Sequence, residues 1–165
     1  MAEYIPNPLK WVYSKIREAV NPLCPYTNTT APTSKAKFPC HTVMLLGSLS
    51  TARTLEMDED GIIVTIQSDS YTSGERFTAL NTAYAIDELA HAAYIQMGFA
   101  RVDGPRELPS EAEDETVKRV TSRYRRTFAK ADFGIMDSYK DSDYDGGDFS
   151  DYDSGVTLDG GALGN

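Results

Sequence analysis

The sequence is poor in several features that mark large classes of protein. It has two cysteines, Cys24 and Cys40, which are too few for a disulfide framework and are expected to stay reduced. No apolar run approaches the roughly 18–20 residues that a membrane-spanning helix needs, so no membrane partner is expected. The first residues carry no basic stretch followed by an apolar core, so we expect no secretory leader and synthesis in the cytoplasm.

Signals of catalysis or cofactor binding are equally scarce. No Cys-x-x-Cys pair, His-x-x-x-His pair or glycine-rich phosphate loop occurs, so neither a metal nor a cofactor is expected. His41 follows Cys40 on a predicted strand, where neighbouring side chains point to opposite faces and do not share an ion. Asp87 and His91 have the spacing of two members of a proton relay, but no nucleophile is signalled, and an interaction on a helix surface is favoured. We therefore predict that the protein is not an enzyme.

The negative charge of the chain, −9, is concentrated near its C-terminus. Residues 1–131 hold 15 basic and 16 acidic side chains, a net charge of −1, whereas residues 132–165 hold nine aspartates and one lysine, a net charge of −8. Aspartate and glycine disfavour both helix and strand, so we predict a folded domain over residues 1–131 and an extended acidic arm over residues 132–165. The arm is either a solubilising tail or a docking segment, and its regularly spaced aromatics favour docking. These aromatics are Phe133, Tyr139, Tyr144, Phe149 and Tyr152.

Three aspartates of the arm have the spacing of the first ligands in an EF-hand calcium loop. They are Asp141, Asp143 and Asp145. The twelfth position of that loop is Tyr152 in place of the bidentate glutamate, and no flanking helices are predicted. A calcium site is therefore not expected.

The N-terminal half predicts one helix followed by strands. Pro8 suits the first position of a helix that Asn7 caps, and the apolar residues up to Val20 share one face at the three-four spacing. Trp11 lies off that face, either as a core-edge residue or as an interface anchor. Residues 21–36, rich in proline, asparagine and threonine, predict a long loop. Strands are predicted over residues 37–46, 49–57 and 62–66, with a turn at residues 58–61.

The C-terminal half predicts a long helix between strands. Thr72 and Glu75 have the spacing of a capping box, and the helix that follows runs to about Met97, before a glycine suited to its C-terminal turn. The apolar stripe of this helix is predicted to include Phe77, Leu80, Tyr84, Ile86, Leu89, Ala90, Ala93 and Met97. Residues 99–102 and 116–128 predict further strands. The fold class is therefore α+β, a mainly antiparallel sheet packed by an N-terminal helix and one long central helix.

The last predicted strand carries arginine on one face. Val120, Tyr124 and Phe128 point toward a core, and the alternating set forms an arginine-rich face. That face holds Arg119, Thr121, Arg123, Arg125 and Thr127. It is either a solvated surface whose charge balances that of nearby acidic residues, or a contact surface for nucleic acid or an acidic segment. The near-neutral domain and the acidic arm disfavour DNA binding, so we predict protein–protein contacts through the three arginines, including docking of the arm of one subunit on the strand of the next.

Several stretches, taken in order, resemble one family of viral proteins. They are Lys37 to Val43, Ile62 to Ile66, Phe77 to Met97, the helix end Ile95 to Arg101, Val102 to Pro105, and the closing run Arg123-Tyr124-Arg125. Together they resemble the tail terminator proteins of long-tailed bacteriophages, also called tail completion or minor capsid neck proteins, over roughly residues 5–128. The acidic arm lies outside the resemblance, and the loop at residues 21–36 is longer than the family pattern.

The resemblance implies a structural role in the virion. Such proteins form a ring, usually of six subunits, that caps the finished tail tube and joins it to the head connector or head completion proteins. The ring surrounds the channel through which DNA passes, without sequence-specific binding. The expected partners are thus other copies of the chain, the tail tube protein and the connector, and the expected location is the tail or neck of a virion assembled in the host cytoplasm. Two other classes stay open: a monomeric binding module whose acidic arm engages a basic partner, and a small hydrolase.

Overall fold

The computed structural model describes residues 7–32, 36–53, 59–109 and 115–137. Over these residues the helices are α1 (Leu9–Val20), α2 (Arg76–Gln96) and α3 (Phe133–Asp137). The strands are β1 (Tyr26–Asn28), β2 (Cys40–Arg53), β3 (Glu59–Ser73), β4 (Ala100–Leu108) and β5 (Val117–Ala129). A 3-10 turn, Lys130–Asp132, joins β5 to α3.

The described strands form one mixed sheet in the order β1-β2-β3-β5-β4. β1 runs parallel to β2, and the other three pairs are antiparallel. β3 lies at the centre, where Ile66 pairs with Leu45 of β2 on one side and with Tyr124 of β5 on the other. The predicted fold class is confirmed, since an N-terminal helix and one long central helix pack a mainly antiparallel sheet.

Helices α1 and α2 pack on the same face of the sheet and enclose the main core. Strand residues that point to this face include Val43, Ile62, Val64, Ile66, Tyr124 and Phe128. Trp11 of α1 is 6% exposed, and its ring centroid lies 6.0 Å from that of Phe128 and 6.4 Å from that of Phe99. Trp11 is therefore a core residue, which decides between the two readings that the sequence allows.

The two long helices begin with different capping arrangements. At α1 the Leu9 N–H donates to Asn7 Oδ1 at 2.9 Å, as the sequence predicts. At α2 the predicted capping box is wrong, because Thr72 still belongs to β3 and its hydroxyl donates to the Ala79 carbonyl at 2.6 Å. Glu75 is itself the cap, and its carboxylate accepts hydrogen bonds from the first turn. These hydrogen bonds lower the pKa of Glu75.

The C-terminal end of α2 matches its prediction. Gly98 has a φ of +80°, and the Phe99 N–H donates to the Tyr94 carbonyl at 2.9 Å, which closes the turn. Arg126 of β5 lies over this end, donates to the Met97 carbonyl and places its guanidinium 4.3 Å from the centroid of the Phe128 ring. The helix end is thereby fixed to the sheet by a cation that complements the exposed carbonyls.

Most strand limits differ from those that the sequence patterns predict. Where they are described, the two strands predicted at residues 37–46 and 49–57 belong from Cys40 to Arg53 to one strand, β2, with bulges between Leu45 and Gly47 and between Ser50 and Ala52. Residues 54–57 lie outside the described residues. The predicted turn at residues 58–61 is wrong where it is described, since Glu59–Gly61 begin β3. The loop predicted at residues 21–36 contains β1. β4 continues to Leu108, beyond the strand predicted at residues 99–102, with bulged pairing on the outer edge of the sheet.

Candidate interaction surfaces

The face of the sheet opposite the helices carries the predicted arginine row, and we call it the open face. Because side chains alternate along a strand, the odd-numbered residues of β5 share this face with odd-numbered residues of β3. The cross-strand pairs on it are Tyr71–Arg119, Asp69–Thr121, Gln67–Arg123, Thr65–Arg125 and Ile63–Thr127. Among the described residues no helix packs on this face, because the core contacts of α1 and α2 all go to the other one.

One end of the open face is closed by a small second core. Tyr26 of β1 and Phe38, just before β2, pack against Cys40, Tyr71 and Val117. Tyr26 and Phe38 therefore cover this end of the face. Burial raises the pKa of the Cys40 thiol, which keeps it protonated and unreactive at neutral pH.

Arg119 lies beside this closed end and is buried, which departs from the predicted contact role. It is 8% exposed, and its Nη2 donates to Asp69 Oδ2 at 3.0 Å. Asp69 is fully buried and also accepts from the Thr121 hydroxyl at 2.6 Å and from Gln67 Nε2 at 3.0 Å. Arg119 therefore holds strands β3 and β5 together through a buried ion pair, and it is not a surface residue of this chain.

Arg123 and Arg125 lie farther along the same row and have different surroundings. Arg123 is half-buried, and its Nε donates to Gln67 Oε1 at 3.0 Å. Arg125 is exposed and makes no hydrogen bond or ion pair with a described residue. Of the three predicted contact arginines, these two are available to a partner.

Apolar side chains lie next to these arginines at the far end of the face. Leu49 is 70% exposed and pairs with Ile63, which is half-buried. Met44, also half-buried, lies four pairs farther along the same two strands, opposite Gln67. We define the open patch as Met44, Leu49, Ile63, Thr65, Arg123 and Arg125. It combines cations with an apolar floor, as protein-binding surfaces often do.

The predicted arm aromatics fall on both sides of the last described residue. Phe133 is 8% exposed and packs in the main core, so in this chain it anchors α3 and does not serve as a docking residue. Residues 132–137, predicted to begin an extended arm, form the end of the 3-10 turn and α3. The other predicted aromatics and the three aspartates with calcium-loop spacing lie outside the described residues. They are Tyr139, Tyr144, Phe149, Tyr152, Asp141, Asp143 and Asp145.

The outer face of α2 forms a second apolar surface, which the sequence pattern did not predict. Phe77 is 71% exposed and Tyr84, seven residues later on the same side, is 39% exposed. Both were predicted to face the core, but the buried stripe consists largely of alanines. It holds Ala79, Ala83, Ile86, Asp87, Ala90, Ala93 and Tyr94. The spacing of the alanines was the signal that could have separated the two stripes, because small residues mark the side where a helix approaches its sheet closely.

Beneath α2 the sheet carries a buried polar network. The Ser122 hydroxyl donates to Asp87 Oδ1 at 2.7 Å, and Arg101 Nη2 donates to Asp87 Oδ2 at 2.9 Å. Asp87 therefore points into the sheet. The sequence had favoured an interaction with His91 along the helix surface. Desolvation raises the pKa of Asp87 despite these donors. The network joins the helix to the sheet and is enclosed, since Asp87 is 1% exposed and Ser122 is fully buried.

His41 belongs to a neighbouring part of this buried layer. Its Nε2 lies 2.7 Å from the Ser68 hydroxyl and its Nδ1 lies 3.0 Å from the Ser70 hydroxyl. Burial lowers the pKa of His41 to about 4, and the negative charge of Asp69 opposes this shift only in part. His41 is therefore neutral in the folded protein at neutral pH.

This shift predicts a loss of stability in acid. Between pH 6.5 and about 4 the unfolded chain binds a proton at His41 that the folded chain does not, so the free energy of unfolding should fall by about 3 kcal/mol across that window. Urea denaturation at pH 7, 5.5 and 4 measures it. His41→Gln should be less stable at pH 7, but its free energy of unfolding should change less with pH. Asp87 titrates in both proteins, and its raised pKa changes the free energy of unfolding in the opposite direction. Equal slopes for the two proteins would contradict the prediction.

Comparison with known proteins adds no identity to these surfaces. No protein-family model matches the sequence, and neither does any curated protein. None of the helices in the described part of the chain combines the length and the apolar character needed to cross a bilayer. Within residues 7–32, 36–53, 59–109 and 115–137, no three His, Cys, Asp or Glu side chains are grouped so that they could hold a metal ion.

Proposed function

We propose that this chain is a structural subunit of the neck of a long-tailed bacteriophage. Copies of it associate head to tail into a ring that closes the tail tube and joins it to the head connector around the DNA channel. The observation that carries the proposal is the presence of two unlike candidate surfaces on opposite sides of one two-layered domain. One is the outer face of α2 with Phe77 and Tyr84, and the other is the open patch with Leu49 and Arg125.

Two unlike surfaces suit a ring better than a two-fold dimer. A symmetric dimer uses the same patch on both subunits, whereas a cyclic ring joins one surface of each subunit to a different surface of the next. Phe77 and Leu49 lie on opposite sides of the domain. Phe77 belongs to α2, which packs on one face of the sheet, and Leu49 lies on the other face, the open face. Both are about 70% exposed in the single chain, and both would gain from burial in a contact.

The distribution of charge supports a place beside DNA without attraction to it. The residues before the arm are nearly neutral, and the excess of negative charge lies in the last 34 residues. Acidic side chains near a channel repel phosphates, so DNA passes without adhering to the ring. The resemblance to tail terminator proteins points the same way. In this role the partners are further copies, the tail tube protein and the connector, and the protein makes and breaks no covalent bonds.

The proposal predicts that one charge on the outer face of α2 strongly weakens assembly. Phe77→Asp removes an exposed apolar contact and places a carboxylate in the interface, so we expect at least about a tenfold loss in self-association or in binding to tail tubes, with the fold retained. Leu23→Asp is the matched control, since Leu23 is 43% exposed but lies after α1. Sedimentation velocity with and without tail tubes measures assembly, and circular dichroism checks the fold.

Electron microscopy of the phage that carries this gene tests the role itself. Labelled protein should lie at the junction of head and tail in several copies per particle. Virions without the protein, together with a monomer that binds basic proteins in a salt-sensitive way, would overturn the proposal and favour a monomeric binding module.

A further inference from the structure

The open patch holds two arginines that have no carboxylate partner among the described residues. The other described arginines of β4 and β5 are matched in other ways: Arg101, Arg106 and Arg119 form ion pairs with aspartates, and Arg126 is held by the end of α2. Within the described part of the chain, Arg123 and Arg125 therefore carry two positive charges on one face of β5 that no carboxylate balances. Being two residues apart on a strand, they are spaced by about 6.8 Å.

The sequence beyond residue 137 carries negative charge at most alternate positions of one stretch, the same spacing as that of the two arginines. Its odd-numbered residues from 141 to 153 are Asp141, Asp143, Asp145, Gly147, Phe149, Asp151 and Asp153. In an extended segment alternate residues point to the same side, again about 6.8 Å apart. One side of such a segment would present five carboxylates with a phenylalanine between them, which complements two arginines beside an apolar floor.

We propose that residues 138–165 of one copy bind in extended form to the open patch of a neighbouring copy. Aspartates of the segment pair with Arg123 and Arg125, and Phe149 packs on Leu49 and Ile63. This inference rests on the proposed self-assembly and names the segment that links one subunit to the next. It assigns the strong negative charge near the C-terminus to a contact between subunits.

The position of α3 favours a neighbour over the same chain as the partner. Phe133 holds α3 in the core on the helix side of the sheet, so the described part of the chain ends on the side opposite the open patch. The 28 residues from 138 to 165 can extend over at most about 90 Å, which is enough to reach an adjacent subunit. In a head-to-tail ring each subunit then gives one segment and receives one, so that no patch is left empty.

Reversal of charge on each side of the contact tests the pairing in the full-length protein. The patch-reversed chain carries Arg123→Glu and Arg125→Glu, and the arm-reversed chain carries Asp141→Lys, Asp143→Lys and Asp145→Lys. Each alone should self-associate at least about tenfold more weakly than the wild type, because like charges then face each other. Arg125→Glu alone should weaken self-association less, in the same direction. Because this side chain is exposed, the single variant should fold even if the double variant does not. Arg17→Glu on α1 makes the same charge change on the helix side and should leave self-association unchanged.

Mixing the two reversed chains distinguishes a neighbour from the same chain. In the mixture the acidic positions 141, 143 and 145 of one chain meet an arginine patch, and the reversed positions of the other chain meet a glutamate patch, so assembly should return to within about threefold of the wild type, in alternating order. If the segment binds its own chain, mixing restores nothing, and the proposal is overturned. It is also overturned if the reversed chains assemble as the wild type does.

Cross-linking separates this inference from the proposed function. A photo-cross-linking amino acid in place of Phe149, in a mixture of ¹⁵N-labelled and unlabelled full-length chains, should join the segment of one chain to β2, β3 or β5 of the other. Rings of normal size without such cross-links overturn the segment contact and leave the proposed function standing. Cross-links between copies of a protein that is absent from virions support the contact and overturn the role in a phage neck.

Discussion

Replacement of Gly104 by alanine should remove a large part of the folding free energy. Gly104 has a φ of +86°, and a Cβ at this position would lie 2.4 Å from the Thr121 carbonyl oxygen and 2.9 Å from Ser122 Cα. Both atoms belong to the backbone of β5, so no side-chain rotation relieves the clash. We expect Gly104→Ala to lower the free energy of unfolding by about 3–5 kcal/mol, measured by urea denaturation.

Gly47→Ala is the control for this prediction. Gly47 follows a bulge in β2, and a Cβ there meets no atom within 4 Å. The substitution should change the free energy of unfolding by less than about 0.5 kcal/mol. Equal losses for the two variants would contradict the argument. The effect at Gly104 matters beyond stability, because the close approach of β4 to β5 there lies next to Ser122, a partner of Asp87.

Removal of the Asp69 carboxylate should be the second severe change. Asp69→Ala leaves the buried Arg119 guanidinium without its carboxylate, and it also removes an acceptor of the Thr121 hydroxyl. A buried charge that loses its partner costs about 3–5 kcal/mol, so this variant should unfold at markedly lower urea concentration than the wild type. The measurement is the urea midpoint at neutral pH.

A double variant shows whether the loss of stability comes from the buried charge of Arg119 without the Asp69 carboxylate. Asp69→Leu with Arg119→Met replaces both ions by apolar groups and should recover most of the stability that Asp69→Ala loses. Arg125→Ala should change stability by less than about 0.5 kcal/mol, because that side chain is exposed and has no ion pair with a described residue. A double variant as unstable as Asp69→Ala would contradict the explanation.

These expected results divide the predicted arginine row into two roles. Arg119 is needed to fold the sheet, so its loss would impair assembly only indirectly. In the proposed assembly Arg125 and the half-buried Arg123 serve the contact between subunits, so their reversal should impair assembly while the protein stays folded. Assays of stability and of self-association on the same variants therefore separate a structural ion pair from a binding surface.

Local patterns predict the parts of the fold that local chemistry decides. The start of α1, the end of α2 at Gly98 and the strand at Ile62–Ile66 all follow from short runs whose hydrogen bonds or backbone angles involve near neighbours. The alternation of β5 correctly separates Tyr124 from Arg123. The fold class follows from the order of these elements.

Features that depend on distant residues are the ones that the sequence did not show. β1 is three residues long and exists because β2 pairs with it in parallel, which no local pattern signals. Thr72 is held in β3 by its partners across the sheet, which shifts the cap of α2 to Glu75. Alternation places Arg119 on a face, but its burial depends on Asp69, 50 residues earlier.

The sequence by itself determined the α+β class, the start of α1 and the end of α2, the arginine row and the acidic C-terminal residues. Only the tertiary structure decided which arginines are used inside the fold and which stay available, and which side of α2 faces outward. The physical reason is that periodicity defines faces, whereas burial depends on what packs against each face. Phe77 and Ala79 both lie on apolar stripes of α2, and only the close approach of the sheet buries the alanine and leaves the phenylalanine exposed.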